Sequence, residues 1–477
     1  MSTDEKPTNC DVNSLFYELD TGDFYYFDGV WKKVGSKVQL QDTGNSGTIE
    51  ITENDVYDVT DYDYVDVNVP GVIPAGILPI TENGIADVTS YASAEVNVDY
   101  TTVNFNLPAF KRTNPTALNY GRRYLAATSV GNYALFGGGE SSSSYYASVD
   151  AYDQSLIRTT PTSLSRARLF LVATSIGNYA LFGGGQNQGS TRYSIVDAYD
   201  QSLTRTTPTG LRNPRTRLAA TSVGNYALFG GGNSGSTHYS TVEAYDQNLT
   251  RTGPTSLSQI KSELSAASIG DYALFGGGWN GSIHLSTVDA YDLTLTKTNP
   301  MSLSQGKSNL GATNVGNYAL FAGGGANDSF TDVVEAYDTS LTRTIPTELS
   351  LARNMLVGTT VGNYAIFGGG WCGYVVNNVD IYNETLTRTN SIVLSENKDD
   401  LAATSIGNYA LFGGGYNGVS YSSGVDAYSL ASYDIQLFPG TKYNFNNSGE
   451  IFSDTMQTIN MQGPVVGYIK IKNTTVT

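Results

Sequence analysis

The sequence predicts an all-β fold, a seven-bladed β-propeller, and three observations carry the prediction. A nine-residue phrase, Gly-Asn-Tyr-Ala-Leu-Phe-Gly-Gly-Gly beginning at Gly131, returns with at most single substitutions at Gly177, Gly224, Gly270, Gly316, Gly362 and Gly407, in steps of 45 to 47 residues. Each repeat shows the alternation of strands and no helical period. A unit of this size cannot bury its own hydrophobic face, so the copies must stack on one another. Four short strands per unit, repeated radially, close into a ring that leaves no long open edge.

Within a unit the elements follow in order. Leu125 to Val130 is a short apolar run that ends at the turn pair Gly131-Asn132, and Tyr133 to Phe136 is the return strand, stopped by three glycines. A variable polar loop comes next. Val149-Asp150-Ala151-Tyr152 alternates as a half-buried strand does, and a short Arg158-Thr159 strand ends near Pro161. The stretch from Val103 to Thr113 aligns with Val149 to Thr159, whereas the last unit loses its Arg-Thr-Pro ending after Tyr428. Residues near Phe110 to Thr113 are therefore expected to supply the outer strand of the final blade, joining the two ends of the array.

This order of Arg, apolar strand, small turn, Tyr-apolar strand, glycines, variable loop and Val-acid-x-Tyr-Asp resembles the kelch repeat over about residues 103 to 428. Two features depart from that pattern. Where kelch repeats usually place a Trp near the fourth strand, this chain has Arg158-Thr159, Arg205-Thr206 or Lys297-Thr298, and the glycine pair is a triple. Something smaller than a Trp wedge must pack one blade on the next.

The 477-residue chain is long enough for several domains, and 40 % hydrophobic residues suffice for cores. We divide it into an N-terminal β module at residues 1–35, a linker at 36–47, two tandem β spacer repeats at 48–100, the propeller at 101–430 and a C-terminal β segment at 431–477. Of the net charge of −17, residues 1–100 carry 19 acidic and 4 basic side chains, hence −15, leaving −2 for the rest. That balance argues against nucleic acid and anionic membrane as partners, since binding either relies on basic residues. The start of the chain is polar and no apolar stretch approaches 18 residues, so neither a secretion signal nor a membrane span is expected. Cys10 and Cys372 fall in different segments and read as free thiols.

The first module reads as strands at Leu15 to Leu19, Phe24 to Phe27 and Val30 to Val34, joined by Thr21-Gly22 and Asp28-Gly29 turns. It resembles the short N-terminal modules of bacteriophage virion and fibre proteins. The spacer unit Ile51-Thr52-Glu53-Asn54, Asp58-Val59-Thr60, Val65 to Val69 is echoed 29 residues later, and such tandem modules resemble those along phage tail and fibre proteins. The resemblance implies a virion protein, made in the bacterial cytoplasm and released by lysis. Its expected partners are other virion proteins through the N-terminal module and further copies of itself.

Two sets of residues are candidates for chemistry. A basic residue stands three positions before each first strand (Arg122, Arg168, Arg215, Lys261, Lys307, Arg353, Lys398), and an acid follows each third-strand valine (Asp150, Asp197, Glu243, Asp289, Glu335, Asp380, Asp426). Equal counts at fixed spacing favour structural ion pairs over a ring of cations that attracts an anion. The second set lies in the loops after the second strands, at residues 140–148, 186–195, 233–241, 279–287, 326–333, 371–378 and 416–424, which vary freely while the opposite turns barely change. Tyr145, Tyr146, Tyr193, His238, Tyr239, Trp279, His284, Phe330, Trp371, Tyr374, Tyr416 and Tyr421 alternate there with Ser, Asn, Gln and Gly, a mixture suited to sugar rings and equally to a protein surface. Two histidines, His238 and His284, make no metal set by themselves, and the glycine runs precede no helix. Acids on the variable loops are too scattered to form a hydrolytic pair. The expectation is a non-enzymatic binding protein without cofactor, whose propeller meets a host-surface glycan or protein.

Overall fold

The computed structural model describes residues 15–18, 23–27, 31–36, 39–42, 48–52, 98–107, 109–326, 329–390, 392–437, 441–446, 450–453, 456–462 and 465–474. It divides into two compact units: residues 111–429, and residues 1–110 together with 430–477.

The larger unit is a seven-bladed β-propeller, with seven four-stranded antiparallel sheets. In blade one the strands are Ala126–Val130, Tyr133–Gly137, Val149–Tyr152 and Arg158–Thr159, paired in sequence order. The first strands of successive blades lie against one another, the seventh against the first, so they surround the axis. Blade seven is built from Ala402–Ile406, Tyr409–Gly413 and Val425–Leu430, and its outer strand is Phe110–Thr113 from the other end of the array. Ring closure is therefore the expected one, but only its outer strand is borrowed. Val103 does not act as a third strand, because Val98–Leu107 pairs elsewhere.

Packing between blades explains the glycine triple. A β-carbon on Gly137 would stand 2.9 Å from Cε1 of Phe182, and the same holds between Gly413 and Phe136 at 2.8 Å across the closure. The phenylalanine of each phrase is the wedge that fills the place of a larger aromatic residue, and in six phrases the first glycine makes room for it; in blade five that place is Ala322, and Gly311 and Gly358 of the first strands lie against Phe367 instead. Gly138 and Gly139 have φ of 75° and 102°, and a β-carbon would meet the carbonyl oxygens of Arg168 at 2.7 Å and Arg123 at 2.8 Å. Only glycine combines a left-handed backbone with so close an approach. Behind the wedge, Phe136 and Tyr152 meet edge to face at 6.0 Å, and the Tyr152 hydroxyl donates to the Thr116 carbonyl at 2.7 Å, an arrangement that recurs down to Phe412 and Tyr428.

The other unit contains a three-stranded antiparallel sheet (Leu15–Glu18, Asp23–Phe27, Trp31–Ser36) and a six-stranded sheet. The latter runs in the order Glu450–Ser453, Thr441–Phe445, Val465–Thr474, Val98–Leu107, Thr48–Thr52 and Gln39–Asp42. Three expected boundaries change accordingly. Gln39–Asp42 is a strand and not linker, since Leu40 and Asp42 pair with Ile51 and Ile49. Residues 98–107 belong to this sheet, which moves the start of the propeller from 101 to about 110. The C-terminal segment is no separate module, because Val465–Thr474 pairs along its whole length with Val98–Leu107. The propeller is thus an insertion in the sequence of a β-sheet unit. Most of the spacer repeats, Cys10 and the turns of the first module lie outside the described residues.

Candidate functional site

The charged residues of the repeat lie inside the blades. Distances are 2.7 Å for Arg122 to Asp150, 2.7 Å for Arg168 to Asp197, 3.0 Å for Lys261 to Asp289, 2.6 Å for Lys307 to Glu335, 2.9 Å for Arg353 to Asp380 and 2.9 Å for Lys398 to Asp426. Arg215 pairs with Glu243 in the same way. All seven cations have fully buried side chains and so offer nothing to a ligand. Burial pulls Arg122 and Lys307 below their ordinary basicity, and the adjacent carboxylates oppose that loss. Each acid also accepts a backbone N–H from the segment entering its blade, as Asp150 does from Asn119 at 3.1 Å and Asp426 from Ser395 at 2.9 Å. Where the acid is Asp, an outer-strand cation reaches it too, such as Arg158 at 3.2 Å from Asp150. Where it is Glu, Arg251 and Arg343 donate instead to the carbonyls of Gly210 and Ser302.

The variable loops fold as small hairpins continuing each blade on one face. The residue after the glycines bridges on one side to the residue after the buried cation and on the other to the returning arm of the loop. Glu140 thus lies between Arg123 and Tyr145, Trp279 between Ser262 and His284, Trp371 between Asn354 and Val375, and Tyr416 between Asp399 and Tyr421. His238 bridges Asn233 in the same register, and Phe330 pairs with Gly325 in a short hairpin of its own.

Of the twelve aromatic candidates, eleven are half-buried and Tyr374 is exposed. Tyr146 stacks on Tyr120 at 4.9 Å and its hydroxyl lies 3.0 Å from Ser141 Oγ, a contact that Tyr239 repeats with Ser234 at 2.9 Å. Tyr193 occupies the equivalent place in blade two, held by its N–H on the Gly185 carbonyl. Trp279 lies over His284 at 4.6 Å and Tyr416 over Tyr421 at 5.4 Å. His238 sits beneath the turn of the next hairpin, where a β-carbon on Gly281 would touch its ring at 3.1 Å. The two histidines belong to different hairpins, and no group of three His, Cys, Asp or Glu side chains able to hold a metal occurs among the described residues.

A second ring of variable residues, which the sequence reading did not single out, surrounds the axis on this same face. Tyr124, Phe170, Arg217, Glu263, Asn309, Met355 and Asp400 precede the invariant leucine of the first strand, and all have φ between 50° and 56°. Their backbones join blade to blade. The N–H of Phe170 donates to the Tyr124 carbonyl at 3.1 Å, Arg217 to Phe170 at 3.2 Å, and so on to Met355 on Asn309 at 2.9 Å, while Tyr124 donates to Asp400 at 3.0 Å. A left-handed Tyr, Phe or Met costs of order 1 kcal/mol, and the inter-blade bonds hold it there. The signal available in the sequence was seven different residues between an invariant cation and an invariant leucine.

Five of these side chains, from Tyr124 to Asn309, are linked in a row at the mouth. Tyr124 and Phe170 have ring centroids 4.0 Å apart, Arg217 lies 4.6 Å over Phe170 and pairs with Glu263, and Asn309 donates to Glu263 at 3.1 Å. Burial pushes the Asp400 carboxyl up to about 7, helped by neighbouring Asp399, and burial likewise raises Asp399 to about 6. Below the mouth, a channel of about 240 Å³ is lined by the first strands, with residues as small as Ala127, Ala173, Gly311 and Gly358. The face therefore offers a heterogeneous mouth enclosed by seven unlike hairpins, on a scaffold that repeats almost without change.

No family model and no curated protein matches the chain. Among solved structures, that of YjhT aligns over 58 % of this chain and 99 % of its own, at 13 % identity and a TM-score of 0.48. The seven-bladed architecture rests on the strand pairing itself.

Proposed function

We propose that this protein is a non-catalytic binding protein of a bacteriophage particle, a fibre-type or receptor-binding appendage. Its N-terminal module attaches to other virion proteins, and its propeller meets a glycan or protein of the host surface. One observation supports the binding role above the others. Buried pairs, wedges and the turns of one face recur in every blade, whereas the hairpins and the mouth of the other face differ in every blade. A scaffold held constant under a surface that varies is the arrangement of recognition modules. The half-buried Tyr, Trp and His side chains beside Ser, Asn and Gly fit that role, and association of several copies would turn weak single contacts into firm adhesion. The assignment to a virion rests on the resemblance of residues 1–100 to phage appendage modules.

A competition experiment tests the reading. Purified full-length protein, added to host cells before phage, is expected to reduce adsorption in proportion to the sites it occupies. Absence of competition together with the protein visible on intact particles would leave a structural decoration role in its place.

A further inference from the structure

The seven seams between blades are unequal on the variable face, and the seam between blades seven and one differs most. There Arg123 is the hub. Its guanidinium lies 4.5 Å from the ring centre of Tyr124 and 5.5 Å from those of Tyr416 and Tyr421, donates twice to Glu140 at 3.2 Å, and stands 3.9 Å from Asp400. Tyr145 bridges Glu140 through the backbone of the first hairpin, and the exposed Tyr120 with Tyr146 extends the patch outward. At the positions equivalent to Arg123 the other blades have Leu169, Thr216, Ser262, Ser308, Asn354 and Asp399, so no other seam carries this cluster.

We propose that this seam is the principal ligand site and that it takes a neutral, hydroxyl-rich ligand, one sugar residue of a glycan chain. The proposal rests on the binding role inferred above and narrows it to one place and one chemistry.

Asp399 provides the independent observation. It is 6 % exposed, its backbone is tied to Tyr416 by two hydrogen bonds of 3.0 and 2.9 Å, and its Oδ1 has no hydrogen-bond partner. A buried carboxylate oxygen left unpaired destabilises a fold, so the scaffold alone gives no reason to keep it. A ligand hydroxyl would satisfy it. Ser262 Oγ and Asn354 Oδ1 are also without partners at the equivalent places in blades four and six, but a neutral hydroxyl or amide oxygen is a smaller liability than a carboxylate.

Charge selects against ionised ligands. An anion would approach Glu140, Asp399 and Asp400, and a cation would find the tyrosine faces already covered by Arg123. What the seam still offers is a set of fixed donors and acceptors beside aromatic edges. Arg123 is held by stacking and by two carboxylates, so little rotamer freedom remains to be lost on binding.

Saturation-transfer NMR on the full-length protein tests this, with methyl glycosides of neutral hexoses, N-acetylhexosamines and uronic acids as probes. Neutral glycosides are expected to bind, uronates at least tenfold more weakly. Arg123→Ala and Tyr421→Ala should each weaken neutral binding at least tenfold without lowering the melting temperature by more than a few degrees, and Trp279→Ala in blade four should change it less than twofold. Asp399→Asn should weaken binding while raising the melting temperature, a pair of effects that a structural role would not produce. Binding lost with Trp279→Ala but kept in the seam variants would overturn the location, and preference for uronates, or no glycoside binding at all, would overturn the ligand class. A lower melting temperature for Asp399→Asn would make that residue structural and remove the argument. Each of these could occur with host-cell adsorption intact, whereas loss of adsorption by the unmodified protein would strike the functional reading itself.

Discussion

Arg112 Nη1 lies 3.4 Å from Asp426 Oδ1, although 314 residues separate the two in the chain. Arg158 makes the corresponding contact with Asp150 at 3.2 Å inside a single repeat. The closing strand therefore reproduces the outer-strand chemistry of an ordinary blade, and the propeller is sealed by the same charged contact that finishes its other Asp-bearing blades.

Closure should be sensitive to that strand. Phe110 is 1 % exposed, and Phe110→Ala is expected to destabilise the ring by about 3–5 kcal/mol, the usual cost of removing a buried phenylalanine. Thermal unfolding followed by circular dichroism would detect it. A change within error would mean that the ends of the array hold together without this strand.

Each buried ion pair should matter most when broken on one side. Arg168→Ala leaves Asp197 without its closest partner and is expected to cost about 3–5 kcal/mol. Removing both charges with Arg168→Met and Asp197→Leu should recover only part of that loss: the desolvation cost of the pair goes, but the Ser165 N–H and Arg205, which also donate to Asp197, lose their acceptor. Denaturant midpoints of the single and double variants make the comparison. If the double variant is no better than the single one, the pair is favourable in its own right.

The glycine triple predicts two different failures. Gly137→Ala places a β-carbon 2.9 Å from the edge of the Phe182 ring, which can shift, so a loss of about 1–3 kcal/mol is expected. Gly138→Ala adds left-handed strain to a 2.7 Å approach to a carbonyl oxygen, which cannot move without disturbing the next blade. Its loss should exceed that of Gly137→Ala in the same melting assay, and the reverse order would refute the packing account.

Acidity offers a separate test at the mouth. Asp400 and Asp399 have folded-state values of about 7 and about 6 against an ordinary 3.8, so the folded protein binds their protons more tightly than the unfolded chain. Burial is the main cause, and Arg123 and the Tyr124 hydroxyl oppose it only in part. Their contribution to stability is then present in full below about pH 3.8 and is lost as pH rises through 6 and 7. Melting temperature should fall between pH 5 and 8, and Asp400→Asn should flatten that slope. An NMR titration showing Asp400 ionised already at pH 5 would contradict it.

How far the chain could be read in advance follows from the range of its patterns. Strand order within a blade, the count of seven and the closing role of Phe110–Thr113 all lie in a period of about 46 residues and in alternation over four or five positions. The partnership of Arg122 with Asp150 is equally periodic. The mouth was less legible, because Tyr124, Phe170 and Asp400 carry no shared residue type and are noticed only once their left-handed backbones converge on the axis. The insertion of the propeller into a sheet escaped notice because Val98–Leu107 alternates like any strand and nothing local names Val465–Thr474 as its partner.

By itself, then, the sequence determined which segments are strands, how many sheets stack and which side of the ring varies, since hydrophobic periodicity and turn residues act over a few neighbours at a time. Tertiary structure alone decided that Arg123 meets Tyr416, Tyr421 and Asp400, nearly three hundred residues away, and that Asp399 is buried without a partner for one oxygen. Such neighbours are chosen by the closing of the circle, which brings the last blade against the first and sets side chains together that no local pattern relates.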